Sequence, residues 1–398
     1  MMFGRGFLHR RNLMQSALAL GGLGLAGCAS GPEPLPPYER VPHLKSVRAT
    51  ADRLFDITVC LRPFRAAGPR LDTEEIGNTF VVHNYGHGGS GWSLSWGSGT
   101  VALRKAMSKS PKAIAVIGCG ALGLTAARVA QDAGLRVTIY TRDLPPQTRS
   151  YRATGTFTPD SRIALTSAAA PSFGDLWEEM ARISFKSYRS YLGLPGAPVE
   201  WTDRYFLSDL APEELATHPR PADPLGFASY SSRISDLLPA NVVIPSDVSP
   251  FAVPSTRRTT AMMFNIPDYA HTLMTDFLLA GGMIVQREFH SPSEFDTLKE
   301  KVVINCPGYA ARALMNDTSV VPVRGQIGWL IPQPDVNYGF IFDGVSMLSR
   351  RDGIVVQDLR GGDIRGYNDA NETVNRDESV QCVEAIAKLY ARHRPWSL

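Results

Sequence analysis

A glycine-rich turn between two apolar runs constrains this chain more than any other feature. Residues 113–117 are apolar and mostly β-branched, and a helix-forming stretch at 125–133 and a second strand-like run at 136–140 follow. The turn between the first run and the helix carries Gly118, Gly120 and Gly123 in the order G-x-G-x-x-G. A strand, a turn of this kind, a helix and a second strand predict a βαβ unit.

The three glycines indicate a dinucleotide site. A side chain at the turn would keep the backbone away from a pyrophosphate, whose charge is met by N–H groups at the helix N-terminus. A purely structural glycine turn is the alternative, and the flanking strand and helix favour the dinucleotide. At the end of the second strand Arg142 and Asp143 are the candidates for the adenine side, where Asp143 either meets the ribose or begins the next turn.

Bulk composition excludes several classes of protein. The 398 residues are 44% hydrophobic and 20% charged, which is ordinary for a globular chain. The net charge is +3, and the sequence contains no long basic run beyond the first dozen residues, so no nucleic-acid surface is predicted. The five cysteines show neither metal-ligand spacing nor a disulfide framework, and no metal site is predicted.

The first fifty residues predict export and a lipid anchor. A basic start containing Arg10 and Arg11 precedes a short apolar stretch at 17–27, which resembles a twin-arginine export signal. Leu25-Ala-Gly-Cys28 resembles a bacterial lipobox, and a plain signal peptide with a chance cysteine is the alternative. Residues 1–28 are therefore predicted to be the signal and 29–50 a proline-rich tether. Lipidated Cys28 would make the protein a periplasm-facing membrane lipoprotein.

A second motif precedes the βαβ unit. It comprises Arg62-Pro-Phe-Arg65 and, after an apolar run, His83-Asn-Tyr-Gly-His-Gly-Gly-Ser-Gly91. Closely spaced glycines allow the main chain to lie against a flat ring system, and a helix beginning near Ser93 would direct its positive dipole there. This string resembles the R-P-x-R and H-N-Y-G-H-G-G-x-G motifs of D-amino-acid and D-aspartate oxidases.

The resemblance implies FAD as cofactor and a set of roles. Arg62 would bind the substrate carboxylate, which a guanidinium can hold bidentately. His83 and His87 would be hydrogen-bonding scaffold residues rather than catalytic bases. The residues implied at the flavin in this first motif are Gly88, Gly89, Gly91 and Ser93. In the segment after the βαβ unit, Thr148, Ser150, Gly155 and Thr156 are implied at the pyrophosphate and the flavin edge. Residues 302–308 and 321–326 also match the family.

Two features depart from the family. The arginine and the glycine-rich flavin motif normally come near the C-terminus, so their order here implies a circular permutation and places the regions around Val47 and His393 close together. The rival explanations are that this early segment serves a neighbouring subunit or that it is an accidental fragment. In addition, residues 341–350 lack the pocket tyrosines of the family. Phe342 and Met347 are candidates for an apolar pocket, and Arg350 or Arg351 for recognition of an acidic side chain. All four also suit plain sheet positions.

The reaction implied is FAD-dependent oxidative deamination of a D-amino acid. A carboxylate held by an arginine would present the Cα–H to flavin N5, and the imino acid formed would hydrolyse. With oxygen as acceptor the second product is hydrogen peroxide, whereas a membrane acceptor would make the protein a dehydrogenase. The alternatives are oxidation of glycine, an N-methyl amino acid or another amine, and a flavin-binding protein without turnover. Self-association is left open.

The fold predicted is α/β, with a Rossmann-like FAD-binding domain interleaved with a substrate domain on a mixed or antiparallel sheet. The FAD domain is assigned residues 51–174, 266–320 and, as a C-terminal helix, 371–398. The substrate domain is assigned residues 175–265 and 321–370. Further helices are predicted at 99–108, 188–193 and 268–281.

Overall fold

The computed structural model describes residues 44–218 and 223–392. The predicted export signal, with Arg10, Arg11 and Cys28, and most of the predicted tether lie outside the described residues, as does His393. The described residues belong to one compact unit. Among them, no helix is both long enough and apolar enough to cross a membrane.

Two β-sheets organise this unit. The strands are β1 (Leu54–Phe64), β2 (Thr73–Ile76), β3 (Thr79–His83), β4 (Ala113–Ile117), β5 (Arg136–Thr141), β6 (Val199–Ser208), β7 (Val242–Ile244), β8 (Ser255–Phe264), β9 (Met283–Gln286), β10 (Val302–Asn305), β11 (Val321–Leu330), β12 (Tyr338–Phe342), β13 (Val345–Arg350) and β14 (Gly353–Asp358). The helices are α1 (Gly91–Ala106), α2 (Ala121–Asp132), α3 (Phe173–Arg189), α4 (Pro212–Thr217), α5 (Ile266–Leu279), α6 (Ala311–Leu314) and α7 (Arg376–Tyr390).

The first sheet has six strands in the order β2-β3-β10-β4-β5-β9. All neighbours are parallel except the β2–β3 pair at one edge. Parallel strands must be covered on both faces, which explains the apolar run of β4. Helices α1, α2 and α5 contribute to the large core on one face, and Phe295, Leu298 and Leu314 cover the other. The βαβ unit predicted from the glycine turn is confirmed as β4, α2 and β5.

The second sheet has eight strands in the order β1-β11-β14-β13-β12-β6-β8-β7. Only its β12–β6 pair is parallel, so the sheet is mixed. Helix α7 packs on it through Cys382, Val383, Ile386 and Leu389. An α/β fold that combines a mostly parallel sheet with a mixed sheet is therefore confirmed.

Some strands and helices belong to, or pack against, a different sheet from the one expected. Strand β1 belongs to the mixed sheet because all of it pairs with β11, although residues 51–174 were assigned to the FAD domain. Helix α7 covers the mixed sheet, where the C-terminal helix was expected on the FAD domain. Helix α3 packs against α1, with Trp177, Met180 and Ala181 in the same core as the FAD-domain sheet.

The helix predictions were partly wrong. The helix predicted to begin near Ser93 is confirmed as α1, which begins at Gly91, but α1 continues to Ala106 and includes most of the separate short helix expected at 99–108. Gly97 lies inside it because α3 crosses so closely that a Cβ there would be 2.1 Å from the carbonyl oxygen of Met180. The helix expected at 188–193 is wrong, since α3 ends at Arg189. The prediction at 268–281 is confirmed within two residues by α5.

The start of the described chain lies beside the end of α7, as predicted. The Tyr338 hydroxyl donates to the carbonyl oxygen of Lys45 at 2.7 Å and lies 2.5 Å from the hydroxyl of Tyr390. Val47 and Leu389 share one apolar cluster. Polar and apolar contacts thus hold the region around Val47 beside the end of α7.

Candidate cofactor and substrate site

A cavity of about 520 Å³ brings the two sequence motifs together. Its walls come from the N-termini of α1 and α2, from residues within the segment 148–162 and from one face of the mixed sheet. Most of the predicted site residues line it: Arg62, Gly88, Gly89, Gly91, Ser93, Gly120, Thr148, Ser150, Gly155 and Thr156. Its volume falls within the range of about 300–1,000 Å³ that is usual for cofactor and ligand sites.

The N-terminus of α1 opens into this cavity. Ser90, the N-cap, makes no side-chain capping hydrogen bond, and a Cβ added to Gly91 would meet nothing within 4 Å. Ser93 Oγ accepts a hydrogen bond from the Thr158 backbone N–H at 2.8 Å, which fixes the opposite wall. The first N–H groups of a helix have no partner within the helix. This wall therefore offers backbone N–H donors and the positive end of a helix dipole to an electron-rich group. A side chain at Gly91 would fill the space that such a group needs.

The glycines before α1 are required by close contacts with a second segment. Gly88 has φ of 55°, and a Cβ there would lie 1.9 Å from the carbonyl oxygen of Arg162. A Cβ on Gly89 would lie 2.4 Å from Ser161 Oγ, and the Gly89 N–H donates to the Ser161 carbonyl. Only glycine fits both positions, so the glycine-rich turn and residues 161–162 form one wall.

The N-terminus of α2 is the second helix start that presents backbone N–H groups near the cavity. Gly120 lines the cavity, and Ser150 Oγ accepts from the Ala121 N–H at 3.0 Å. Gly118 and Gly123 do not line it. A Cβ on Gly123 would lie 1.9 Å from the Gly118 carbonyl oxygen, and Gly118 has φ of 96°. These two glycines therefore allow the tight turn and the close approach of helix and strand, while Gly120 keeps the surface open.

Arg142 and Asp143 are not brought to the cavity. They form an exposed ion pair at 2.8 Å just after β5, and Arg142 also pairs with Glu288 at 3.2 Å. Their predicted contact with the adenine side stays a prediction.

Arg62 reaches into the cavity from β1. Its guanidinium lies over Gly325 of β11, where a Cβ would be 2.2 Å from Nη1, so glycine is required beneath it. Among the described residues the guanidinium makes no hydrogen bond or ion pair. Burial lowers its pKa from the ordinary value, but an arginine remains charged. A partly desolvated, unpaired guanidinium is suited to bind a carboxylate.

The two histidines of the motif make structural hydrogen bonds. Ser98 Oγ donates to Asn84 Oδ1 at 2.6 Å, so the 2.7 Å contact between His87 Nε2 and Ser98 Oγ has the imidazole as donor. Burial lowers the pKa of His87 to about 3, which keeps the ring neutral. His83 contacts Glu74 at 2.9 Å, and burial lowers its pKa as well. Neither arrangement resembles a base aimed at a substrate.

The candidates for the substrate pocket need correction. Phe342 and Met347 are buried in the core on the α7 side of the mixed sheet, and neither lines the cavity. Arg350 does not line it either, because its side chain is fully buried and ion-paired to Asp352 at 2.6 Å. The exposed Arg351 is also absent from the walls. The mixed sheet instead presents residues that no motif indicated: Arg204, Ile341, Ser346 and Gln357.

Arg162 and Asp363 are a further pair that the motifs did not indicate. They form an ion pair at 3.0 Å on the cavity wall, and Arg162 adopts φ of 50°. Burial, together with the neighbouring charge of Arg62, lowers the pKa of Arg162 to about 10. A positive φ at a non-glycine residue cannot be deduced from composition, which is why this position gave no signal.

Comparison with known proteins identifies the family of the chain. Residues 113–396 match the family model described as FAD dependent oxidoreductase, abbreviated DAO. The chain is 26% identical over 217 residues to a D-amino-acid oxidase of Dictyostelium discoideum, covering 53% of this chain and 55% of that protein. It is 27% identical over 216 residues to a D-amino-acid oxidase of Streptomyces coelicolor, covering 54% and 58%. The chain thus spans little more than half the length of these curated relatives.

Among solved structures, a glycine oxidase of Bacillus cereus superposes with a TM-score of 0.48 at 13% identity, covering 69% of this chain and 76% of that one.

Proposed function

The chain belongs to the DAO family of FAD-dependent oxidoreductases, with FAD as its cofactor, and we propose that it oxidises the Cα–N bond of a D-amino acid. The observation that carries the proposal is Arg62, whose unpaired guanidinium lines the same cavity as the glycine-rich turn and the two helix N-termini. The similarity to proteins named D-amino-acid oxidase supports the same reaction class.

The residues of the cavity fit FAD. Gly120, Thr148 and Ser150 cluster at the N-terminus of α2, where N–H groups and hydroxyls suit a pyrophosphate. Gly91 leaves open space at the N-terminus of α1, which suits a flat ring placed against main chain. When bound, FAD supplies a two-electron acceptor for the Cα–H of the substrate.

The chain itself supplies binding and orientation. Arg62 would hold the α-carboxylate through two charge-assisted hydrogen bonds, which fixes the Cα relative to the cavity wall. The neutral ring of His87 and its bond to Ser98 keep the wall in place without moving a proton. Orientation of the substrate therefore accounts for what the protein contributes, and no side-chain base is required.

An anaerobic absorbance titration tests the proposal. The full-length protein is purified with FAD and its visible flavin spectrum is recorded before and after addition of matched D- and L-amino acids, glycine and sarcosine. Bleaching by D-amino acids alone is the expected result. Bleaching only by an L-amino acid, by glycine or by sarcosine would replace the proposed substrate class, and a spectrum that none of them changes would show a flavin protein without this activity.

The electron acceptor is tested in the same preparation. Oxygen consumption with equimolar hydrogen peroxide identifies an oxidase, whereas turnover that needs an added quinone identifies a dehydrogenase.

We further propose that the protein is exported and held at a bacterial membrane by lipidated Cys28. The support is the sequence pattern of residues 1–28 alone. Cell fractionation of the wild type and of Cys28→Ser tests it, with membrane association expected only for the wild type. An equal distribution of both variants would contradict the anchor.

The motif order is proposed to be circularly permuted relative to the family. This agrees with the contacts between Lys45, Tyr338 and Tyr390 and with the pairing of β1 and β11 within one chain. A rearranged chain tests it, in which residues 44–110 follow residue 392 through a short glycine–serine linker. The rearranged chain is expected to bind FAD. An insoluble or flavin-free product would contradict the proposal that the two motif orders give the same fold.

A further inference from the structure

Exposed apolar side chains cluster where α5 ends and the edge strand β9 begins. Leu279, the last residue of α5, is 82% exposed, and Met283, the first residue of β9, is 60% exposed. Two further exposed apolar residues lie in the same stretch of chain: Leu278 and Val285. Single exposed apolar residues are ordinary on a protein surface, whereas a contiguous group of them indicates an interaction site.

A hollow of about 730 Å³ adjoins this group, since Gly281 and Met283 form part of its lining. The first residues of β4, β5 and β10 line it as well, so it lies at the amino ends of the parallel strands. Four of its lining side chains are basic and two are acidic: Lys109, Arg136, Lys299 and Lys301 against Glu75 and Glu300. The hollow and the four exposed apolar residues are called the basal face below.

The acidic residues of the basal face already have partners. Glu75 pairs with Lys109 at 2.7 Å, and Glu300 accepts two side-chain hydrogen bonds, at 2.8 and 3.1 Å. Lys301 pairs with Asp296 at 3.2 Å. Among the described residues, four exposed basic side chains in or next to the hollow have no ion pair: Lys105, Lys112, Arg136 and Lys299. The apolar group is therefore flanked by positive charge that no acidic side chain of the chain compensates.

We propose that the basal face docks on the surface of an anionic phospholipid bilayer. Unpaired lysine and arginine side chains suit the phosphate headgroups, and exposed leucine and methionine side chains suit the boundary between headgroups and acyl chains. Leu279 protrudes from the surface, and a protruding apolar side chain fits a fluid apolar layer. This inference rests on the membrane location proposed above. A lipid anchor combined with a basic surface gives the two signals that stable membrane attachment requires.

Docking in this way leaves the cofactor cavity open to water. Helices α1 and α2 begin at the cavity, and the residues that follow their C-terminal ends, Lys109 and Arg136, line the basal hollow. The 16 residues of α1 span roughly 24 Å. The cavity and the basal face thus lie at opposite ends of the same helices, and a water-soluble amino acid can reach Arg62 while the basal face contacts lipid.

Quenching of a local tryptophan tests the docking. Leu279→Trp is prepared as FAD-bound, full-length protein and mixed with vesicles of phosphatidylcholine and phosphatidylglycerol whose acyl chains are brominated or unmodified. Bromine quenches a tryptophan that enters the bilayer, so we expect a loss of fluorescence beyond that of the wild type. Val243→Trp is the matched control, because Val243 is exposed on β7 of the mixed sheet, and its quenching should equal that of the wild type. Equal quenching of both variants, or none in an FAD-bound Leu279→Trp, would overturn the docking.

Removal of the unpaired cations tests the choice of lipid. Three substitutions are combined in the Leu279→Trp background: Lys112→Gln, Arg136→Gln and Lys299→Gln. Each basic residue near an anionic surface strengthens binding about fivefold, so the lipid concentration for half-maximal quenching should rise about 100-fold. A control removes the same charge from exposed positions elsewhere and should leave that concentration unchanged: Lys186→Gln, Arg257→Gln and Lys388→Gln. Equal losses in both combinations, or equal quenching by vesicles of phosphatidylcholine alone, would overturn recognition of anionic lipid.

The failure of this inference and the failure of the lipid anchor are distinguishable. Fractionation of Cys28→Ser reports on the anchor alone, whereas quenching in Leu279→Trp reports on the basal face alone. A second copy of the chain is the competing occupant, and analytical ultracentrifugation tests it. A wild type that sediments as a dimer, becomes a monomer in Leu279→Glu and shows no lipid quenching in Leu279→Trp would assign the basal face to self-association and refute lipid docking.

Discussion

The buried Arg350 is predicted to hold one wall of the cavity in place, and removing its counter-ion should destabilise the fold. Its guanidinium donates to both carboxylate oxygens of Asp352, at 2.9 and 2.6 Å. It also donates to the Ala153 carbonyl at 2.7 Å and lies 5.0 Å from the centre of the Trp329 ring. Residues 153–156 line the cavity, so this ion pair connects the β13–β14 turn to the segment predicted to contact the flavin edge.

The magnitude follows from burial. The Arg350 side chain is 0% exposed and that of Asp352 is 26% exposed. Removing one partner of a buried pair costs about 3–5 kcal/mol because the other charge is left uncompensated. The partial exposure of Asp352 places Asp352→Asn near the lower end, at about 3 kcal/mol. Arg350→Met combined with Asp352→Asn removes both charges and leaves mainly the carbonyls of Ala153 and Thr154, to which Arg350 donates, unsatisfied. We therefore expect the double variant to be about 1–2 kcal/mol more stable than Asp352→Asn alone.

Urea unfolding at one fixed FAD concentration measures these differences, since bound cofactor changes apparent stability. With a slope of about 3 kcal/mol per molar, Asp352→Asn should lower the midpoint by roughly 1 M. A midpoint within about 0.2 M of the wild type, or a double variant less stable than Asp352→Asn, would refute the assignment of Arg350 as a buried, compensated charge.

Three further outcomes follow from the same structure. Arg62→Met should keep its FAD yet raise KM about 10–100-fold in steady-state kinetics, since a charge-assisted contact contributes about 1.5–3 kcal/mol; an unchanged KM would remove Arg62 from the substrate site. Gly91→Ala should leave the thermal stability of the FAD-free protein nearly unchanged but weaken FAD binding in a fluorescence titration, because its Cβ would meet only open cavity; undiminished affinity would contradict the placement of the flavin there. The pKa of His87, lowered to about 3, implies stability that is fully present above its unfolded value near 6.5 and is lost as the pH falls from there towards 3. His87→Asn should therefore flatten the dependence of unfolding free energy on pH between about 6 and 4, by up to about 1.4 kcal/mol per unit, and an unaltered slope would argue against a buried neutral imidazole.

The parts of the site that could be predicted from sequence are those whose constraint is local. Gly88 and Gly123 are recognisable because a tight turn and a close backbone approach leave no room for a Cβ. The βαβ unit is recognisable because its strands and helix are adjacent in sequence. The role of Gly97 gave no local signal, because the reason for it, the crossing of α3, lies more than eighty residues away in the sequence.

Other parts depend on contacts between distant segments. Arg204 carries no motif, and it reaches the cavity only because β6 lies next to β12 in the mixed sheet. Arg350 was a candidate for substrate binding, but its side chain is buried in the interior, where it pairs with Asp352. A charged residue in a strand has the same local pattern whether it faces a ligand or a buried counter-ion, so only the strand order distinguishes the two.

The pairing of β1 with β11 also has a consequence for how the chain is made. Thr58 and Trp329, whose side chains are hydrogen-bonded, are separated by 271 positions in the sequence. At a translation rate of about 5–20 residues per second, β1 waits roughly 15–55 s for its partner strand to emerge from the ribosome. During that interval its apolar side chains and unpaired edge are open to aggregation. Because Arg62 lies on this strand and its guanidinium lies over Gly325 of β11, the substrate site cannot be complete until β11 has been synthesised. A chaperone that shields the nascent N-terminal segment should therefore raise the yield of active protein more than one that acts after release.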